Sequence, residues 1–582
     1  MSIDKPRRKR RWLFRLFILL AIPLFLLFLM GKVLGFLMSE EVTVEPGTVL
    51  EIGLSGSFSE GPGEAIWSEL TGERKTSLWQ LRRALEFAAE DEDIVGIRVL
   101  VQPAFFGWGL AEEVLEEFDR FRESGKPVYV LLQSDMVGDL EYFLSTCGDR
   151  VWISPETGVL VNGLALEVTF WRGTLDKLKI EPEVIMFKEY KSAGEPFLNK
   201  EMSPYMREAY LALLEDFDKR FEDRVCGRRG ISVQSLRDFL DKGIAASKDL
   251  HELEWVDEEG YLDEVEKAFE ESLDLEEYKG VALRDYLRAL DEDVPDATET
   301  IAVVFGEGPI VSQAAMQGPF GMGEWLVGPK VASYIREAAD DENVKAILFR
   351  VNSPGGSAVG SDVVLREIDR AREKGKKVIV SMSSVAGSGG YWVAMHADGI
   401  VAQPTTITGS IGVVFTKLNL TGFMDWIGAN VETLTTAPMA DIMGTTPLDP
   451  DRRERVEAWM EDLYDSFKTK VALGRDLPAE KVEEIARGRV WTGQDALDLG
   501  LVDRLGGIEE ALALAKETAG LDASEEYRVK IYPKPKPFLQ QLLEGDFFTQ
   551  TPKVPSETEV LKWAREAATL RVLVQMPEIR VY

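Results

Sequence analysis

The sequence repeats itself once, and this duplication restricts the fold more than any other feature. Residues 111–126, AEEVLEEFDRFRESGK, match residues 361–376, SDVVLREIDRAREKGK, at an offset of about 250 residues. With one residue of slip, the same offset continues and places Tyr142 opposite Tyr391. This indicates two homologous domains, and the charged, proline-containing segment 292–300 is typical of a linker between them. Two repeats are too few for a solenoid, and each is long enough to fold by itself.

Each repeat alternates short apolar strands with amphipathic helices, which is the pattern of an α/β protein. Strands are predicted at residues 94–101 and 127–132 in the first repeat, and at 346–351 and 377–382 in the second. The two matching segments given above are predicted helices. We therefore predict two tandem α/β domains. The predicted boundaries are 1–39 for a basic tail and membrane anchor, 45–295 and 298–540 for the repeats, and 541–582 for a C-terminal extension.

The N-terminus carries the pattern of a membrane anchor. Basic residues precede an uncharged apolar stretch from Leu16 to Met30. The long side chain of Lys32 can reach the membrane surface, so residues 16–38 are predicted to span the lipid bilayer once. No small-residue cleavage site follows, which favours an uncleaved anchor over a removed signal peptide. The basic flank predicts a cytoplasmic N-terminus, with everything after about residue 39 outside the cytoplasm.

The charge and the scarcity of two residue types exclude several classes of function. The chain has 100 acidic and 67 basic residues and a net charge of -33, which argues against a nucleic-acid groove. Cys147 and Cys226 are the two cysteines, and His251 and His396 are the two histidines. These residues make neither a disulfide framework nor a zinc site plausible.

One serine, Ser388, lies between glycines in GSGGYWVA, residues 387–394. Most glycine-flanked serines belong to turns, so a role as nucleophile requires a base and donors for the oxyanion. The sequence SPGGS at 353–357 follows a predicted strand and offers glycine amides. The amide of Gly389 can point to the same place. Without a nucleophile nearby, SPGG would be interpreted as a type II turn.

A base for Ser388 can be a histidine or a lysine. On a helix that follows the serine, His396 would lie roughly 12 Å along the axis and about 80° around it, which is a poor position for a triad. His251 lies in a charged segment typical of the surface. A lysine can perform the same chemistry if burial lowers its pKa by roughly 3 units, or about 4 kcal/mol. Lys191, in EYKSAGEPF, is the candidate.

The comparison of the two repeats is what raises Lys191 above an ordinary surface lysine. Lys191 in the first repeat falls opposite Ala440 in the second. Ser388 in the second repeat falls opposite Asp139, or opposite Gly138 if the slip is placed differently. The first repeat therefore holds a lysine without a nucleophile, and the second holds a nucleophile without a lysine.

Four motifs, YKSAGEPF, VNSPGGS, GSGGYWVAMHADGIVAQP and TGSIGV, occur here together with an N-terminal anchor and a duplication. In this combination the chain resembles the long, duplicated form of the signal peptide peptidase A family of bacterial membrane-bound serine proteases. The resemblance extends from the anchor to about residue 540. It implies a crotonase-like or Clp-protease-like α/β fold and a Ser-Lys dyad that needs no metal or organic cofactor. The residues that match the family's site are Ser388 as nucleophile, Lys191 as general base, Ser410 as the residue that holds the lysine, and Gly389 with Gly355, in preference to Gly356, as oxyanion donors.

The resemblance also implies an activity and a setting. Such proteins cleave remnant signal peptides and other apolar peptides, assemble as tetramers, and lie in the bacterial inner membrane with their catalytic domains outside the cytoplasm. The strong acidity and Gly387, where alanine often precedes the serine, depart from the family's pattern without touching the chemistry. Two other functions stay open: a catalytically silent membrane scaffold, which a broken dyad would indicate, and a crotonase-type acyl-CoA enzyme, against which the predicted export argues.

Overall fold

The structure, a computed structural model, covers most of both repeats. The described residues are 44–62, 76–290, 299–313, 325–521 and 527–532, with the backbone of two short strands at 574–575 and 580–581. The predicted anchor at 16–38 and most of the predicted linker lie outside these ranges. Within the described ranges, no helix is both long and apolar enough to cross a bilayer.

A six-stranded parallel sheet forms the centre of the first repeat. The strand Val128–Leu132 is buried at every position, as expected in a parallel sheet covered on both faces. Strands are confirmed at both predicted positions of this repeat. In order across the sheet, the strands are Glu258–Glu259, Arg150–Ile153, Val128–Leu132, Ile94–Ala104, Thr48–Gly56 and Lys279–Ala282.

The second repeat has the same strand order, in agreement with the duplication in the sequence. Its parallel strands are, in the same order, Arg504–Leu505, Gly399–Ala402, Lys377–Gly387, Val344–Ser353, Thr300–Glu307 and Arg528–Tyr532. The two strands predicted in this repeat are confirmed and are longer than predicted. The far end of Lys377–Gly387 also pairs with Ile407–Gly409, which pairs antiparallel with Val490–Trp491. The first repeat has a separate small sheet of Met136–Gly138, Gly158–Leu160 and Ala245–Ala246.

Helices connect the strands in both repeats. The two predicted helices are confirmed as Trp108–Arg122 and Ala358–Glu373. The other helices of the first repeat are Leu78–Glu90, Asp139–Ser145, Arg172–Lys177, Glu195–Leu198, Pro204–Arg229, Val233–Lys242, Ser247–Glu252, Leu262–Leu273 and Leu283–Ala289, with a 3-10 turn at Ser192–Gly194. The other helices of the second repeat are Gly328–Asp340, Gly389–Trp392, Thr421–Ile427, Pro450–Arg475, Ala479–Ile485, Gly493–Asp498 and Ile508–Ala519.

The longest helix of each repeat begins with the same local chemistry. In Pro204–Arg229 the preceding Ser203 accepts a hydrogen bond from a backbone N–H of the first turn, and proline is the first helical residue. In Pro450–Arg475 the preceding Asp449 has the same function. A capping oxygen followed by proline satisfies a free N–H and presets the backbone angle, so both helices begin at a fixed residue.

The two repeats do not form separate bodies. Strand Glu181–Phe187 of the first repeat pairs antiparallel with Val413–Asn419 of the second. One hydrophobic core contains Leu50 and Phe118 of the first repeat together with Leu348 of the second. Each repeat therefore buries apolar surface against the other, and folding of a repeat by itself stays a prediction.

The end of the chain also returns to both repeats. The strand Val574–Gln575 pairs antiparallel with Gly355–Gly356 of the second repeat. The strand Arg580–Val581 pairs antiparallel with Leu166–Glu167 of the first. Gly355–Gly356 is the glycine pair of the SPGG motif. A segment of extended chain therefore lies directly against the predicted oxyanion loop.

Candidate active site

Ser388 lies on a sharp turn between a strand and a short helix. The strand Lys377–Gly387 ends immediately before it, and the helix Gly389–Trp392 begins immediately after it. Its backbone has φ 56° and ψ -112°, a conformation that L-residues rarely adopt, and its N–H donates to the carbonyl of Gly409 at 2.8 Å. The side chain is fully buried. Such a turn holds a serine hydroxyl in one direction, which is what a nucleophile requires.

Lys191 lies at the junction of the two repeats and is 1% exposed. It follows the strand Glu181–Phe187, whose pairing with the second repeat carries it to the serine. Its Nζ lies 2.7 Å from Oγ of Ser388, 3.0 Å from Oγ of Ser410 and 3.2 Å from the carbonyl oxygen of Ser410. The structure therefore brings together three side chains that the sequence singled out, from residues almost 200 positions apart.

Burial lowers the pKa of Lys191 to about 7. The cause is loss of hydration, which disfavours the charged ammonium. No carboxylate contacts Nζ among the described residues, so no negative charge beside it opposes this effect. A substantial fraction of the amine is thus neutral near pH 7 and can accept a proton from Ser388.

Glycine amides lie beside the serine. A Cβ placed on Gly389 would lie 3.1 Å from both Cα of Gly355 and the amide nitrogen of Gly356, so the two segments are in close contact. The N–H of Gly355 donates to Oγ of Ser353 at 3.2 Å, and the nitrogen of Gly356 is the one that lies beside the Cβ position of Gly389. The sequence favoured Gly355 over Gly356 as the second oxyanion donor, and the choice between them stays a prediction.

The residues rejected as bases have other partners. Nδ1 of His396 lies 2.8 Å from Asp369, and its Nε2 lies 3.1 Å from the carbonyl oxygen of Lys470. His251 is exposed. Ala440, which is the residue of the second repeat equivalent to Lys191, is exposed as well. None of these contacts reaches the serine.

The position of the first repeat that is equivalent to Ser388 holds a buried aspartate. Asp139, opposite the serine, is 6% exposed, and its carboxylate accepts N–H groups from Gly163 at 3.1 Å and Asn162 at 3.4 Å. Burial raises the pKa of Asp139 to about 6, whereas those two N–H donors act to lower it. The carboxyl is thus held by backbone groups, and no lysine contacts it among the described residues.

Gly488 supports the lysine and was not identified from the sequence. A Cβ on Gly488 would lie 2.5 Å from Cβ of Lys191, and Gly488 has a positive φ of +81°. Its N–H donates to the carbonyl of Ile411 at 2.8 Å, and the carbonyl of Arg487 accepts the N–H of Tyr190 at 3.1 Å. A glycine is required here because a side chain would occupy the space of the lysine backbone.

We expect Gly488→Ala to lower kcat about a hundredfold, because the new Cβ must displace Lys191 and a shift near 1 Å is enough for such a loss. Peptide cleavage by the folded variant measures this. Gly428→Ala is the matched control, since Gly428 has a similar φ of +76° but open space around its Cβ position. The control should lose stability, by about 1–2 kcal/mol, while keeping its kcat. Equal losses of kcat in both variants would contradict the prediction.

A buried serine beside a buried lysine of lowered pKa and two glycine segments is the arrangement of enzymes that transfer acyl groups through a serine. A model of peptidase family S49 matches residues 120–276 and 370–522, one match in each repeat. The chain belongs to peptidase family S49 and is a serine protease.

Curated relatives agree with this family. The chain is 32% identical over 510 residues to the chloroplastic serine protease SPPA of Arabidopsis thaliana, covering 86% of this chain and 74% of that one. It is 35% identical over 464 residues to Protease 4 of Salmonella typhi, covering 77% and 73%. Both relatives match across the two repeats, so the chain is a tandem, long-form member of the signal peptide peptidase A group.

Solved structures give weaker similarity. A mutant of the 1510-N membrane-bound stomatin-specific protease is 15% identical, covers 40% of this chain and 98% of that one, and has a TM-score of 0.25. A ClpP1 mutant from Listeria monocytogenes has a TM-score of 0.24, with 14% identity over 37% of this chain and 95% of that one. These scores are too low for an argument about a shared fold, so the family assignment rests on sequence.

Proposed function

We propose that this serine protease is a membrane-anchored endopeptidase that degrades remnant signal peptides and other apolar peptides after export. Ser388 is its nucleophile and Lys191 its general base. The observation that carries the proposal is the distance of 2.7 Å between Nζ and Oγ in a fully buried setting. A silent scaffold would need no such pair, and an acyl-CoA enzyme of the crotonase type would rely on carboxylates instead.

The geometry supports a mechanism in two halves. Neutral Lys191 takes the hydroxyl proton as Oγ of Ser388 attacks the peptide carbonyl, and the amide of Gly389 with one from Gly355–Gly356 stabilises the oxyanion. The lysine then gives that proton to the leaving amine. Water attacks the acyl-enzyme with the same lysine as base, which restores the serine. Ser410 accepts a hydrogen bond from Nζ at 3.0 Å and so keeps the amine directed at the serine.

An extended peptide is the form of substrate that fits this site. Val574–Gln575 of the chain itself pairs antiparallel with Gly355–Gly356, so this edge accepts a β-strand. A substrate strand in the same register would take the place of Val574–Gln575 and lie beside the oxyanion donors. Signal-peptide cores are apolar, and the predicted anchor at 16–38 would keep the site near the bilayer in which they lie.

The membrane setting and the assembly belong to this proposal. The predicted anchor and its basic flank support an inner-membrane protein with a cytoplasmic N-terminus and both repeats on the outer side. A homo-tetramer is proposed from the resemblance to the long-form family. Exposed large apolar side chains at Trp171, Trp426, Ile427 and Leu434 support an interface between subunits.

Cleavage of two matched peptides by the full chain in lipid vesicles tests the substrate class. One peptide has an apolar signal-peptide core, and in the other the leucines of that core are replaced by serine. We expect the apolar peptide to be cleaved with a kcat/KM at least about tenfold higher, since burying several leucines stabilises its complex. Equal cleavage of both peptides would contradict the proposed substrate.

The lowered pKa of Lys191 predicts the pH dependence of the reaction. The neutral amine is the active form, so kcat/KM should rise with pH through an apparent pKa of about 7 and reach a plateau above it. A peptide without titrating groups between pH 5 and 9 is the substrate for this measurement. A profile that falls through pH 7, or rises only near the usual lysine value of about 10.4, would contradict the role of Lys191.

A further inference from the structure

Glu60 is a buried carboxylate of the first repeat that reaches into the second. It is 1% exposed. Its Oε2 accepts the Nε–H of Arg350 at 2.9 Å. Its Oε1 accepts an N–H of the Asn352 side chain at 2.9 Å and the hydroxyl of Ser383. One carboxylate thus has three partners on the other repeat.

Asn352 connects this carboxylate to the glycine loop. It lies at the end of the strand Val344–Ser353, directly before the SPGG turn. Its Oδ1 accepts the N–H of Val385 at 3.3 Å, while Oγ of the next residue, Ser353, accepts the N–H of Gly355. The position of Asn352 therefore affects where the loop amides point.

Ser383 connects the same carboxylate to the nucleophile. It is fully buried on Lys377–Gly387, the strand that ends at Ser388. Glu60 is therefore hydrogen-bonded to both strands that carry the site, one leading to the oxyanion loop and the other to the serine. The backbone of Glu60 is also fixed, since its carbonyl accepts the N–H of Trp79 at 3.3 Å.

We propose that Glu60 is a positioning residue, through which the first repeat sets the spacing between the glycine loop and the nucleophile of the second. The inference rests on the proposed roles of Ser388 and of the Gly355–Gly356 segment. It gives the first repeat a second contribution to the site besides Lys191. Catalysis depends on donors fixed before the oxyanion forms, so a carboxylate that links the two strands acts on kcat more than on KM.

Glu113 allows this role to be separated from charge balance. Its Oε2 lies 2.6 Å from Arg350, the same arginine, and it is also fully buried. Its other oxygen accepts the N–H of Ile508 at 2.6 Å, so its bonds reach neither Asn352 nor Ser383. Either change to glutamine removes one of the two acidic partners of the arginine, but only Glu60→Gln alters the bonds to Asn352 and Ser383.

The test compares Glu60→Gln with Glu113→Gln in cleavage of the apolar peptide, with wild type and Ser388→Ala in the same assay. We expect Glu60→Gln to lower kcat at least about tenfold, with KM changed by less than about threefold. Its pH profile should keep the apparent pKa of wild type, because Lys191 is untouched. Glu113→Gln should lose similar stability and keep kcat within about threefold of wild type.

Asn352→Ala provides the second test if the buried substitution does not fold. It removes the link without altering the charge of the cluster, and it should lower kcat in the same way. The double variant of Asn352→Ala with Glu60→Gln should lose little more kcat than either single variant, because both changes disrupt the same bond between Glu60 and Asn352. Equal effects of Glu60→Gln and Glu113→Gln, or a wild-type kcat in Asn352→Ala, would overturn the inference. Activity that persists in Ser388→Ala would instead overturn the proposed nucleophile.

Discussion

Replacing Lys191 by methionine, or Ser388 by alanine, is expected to lower kcat at least about a thousandfold, as loss of a member of a catalytic unit does. Methionine keeps the apolar length of the lysine but cannot take the serine proton. The alanine variant keeps the lysine but has no hydroxyl to attack the substrate. The double variant should be no slower than either single one, because the two groups act as a unit. Steady-state cleavage of the apolar peptide measures all three.

A measurement of stability separates this loss of kcat from a loss caused by unfolding of the variant. The pKa of Lys191 is about 7 in the folded chain and near 10.4 when unfolded, so the unfolded state binds more protons between these values. The buried lysine therefore costs stability below about pH 10, and the full cost is present below about pH 7. Lys191→Met removes this cost, so it should unfold at no lower temperature than wild type at pH 7. Normal cleavage by this variant would contradict the dyad.

Arg350→Met is expected to lower the free energy of unfolding by about 3–5 kcal/mol, the usual loss when one partner of a buried ion pair is removed. Arg350 is fully buried between Glu60 and Glu113, both from the first repeat, and it also donates to Ser381 at 2.7 Å. Methionine would leave two buried carboxylates without their cation. Urea unfolding of this variant and its control at one pH measures the loss.

Lys345→Met is the control for this prediction. Lys345 lies on the same strand and pairs with Glu299 at 3.3 Å, but both side chains are partly exposed, at 43% and 33%. Pairs of this kind contribute about 1 kcal/mol or less. A loss below about 1 kcal/mol for Arg350→Met, or equal losses for both variants, would show that the buried cluster does not hold the repeats together.

Local patterns predicted the elements of the fold well. The strands and helices expected from apolar periodicity form where they lie within the described residues, and the repeated sequence corresponds to a repeated strand order. The boundaries at 45–295 and 298–540 stay predictions, although both S49 matches lie inside them. The pairing of Glu181–Phe187 with Val413–Asn419 was not predicted, because a strand pattern does not specify a partner more than 200 residues away.

The sequence also named three side chains that meet at the site. Lys191 and Ser388 came from motifs and the comparison of repeats, and Ser410 came from the family resemblance. It missed Gly488 and Glu60. Gly488 is one of 50 glycines. A glycine is required at this position because Lys191 lies too close for a side chain, and no local sequence pattern shows that contact. Glu60 is one of 100 acidic residues, and its partners are almost 300 residues away. Both residues could be identified only from their contacts in the folded chain.

The sequence by itself determined the α/β class, the duplication and the residue types of the site, because these follow from periodicity, offset and chemistry along the chain. The resemblance paired Lys191 with Ser388, and the tertiary structure decided the packing of the two repeats that places one against the other. The tertiary structure also decided how far the pKa of this lysine is lowered, since that depends on its burial at the junction of the repeats. The local spacing of apolar residues determines where helices and strands form. The packing of the two repeats determines which side chains meet and how far they are shielded from water.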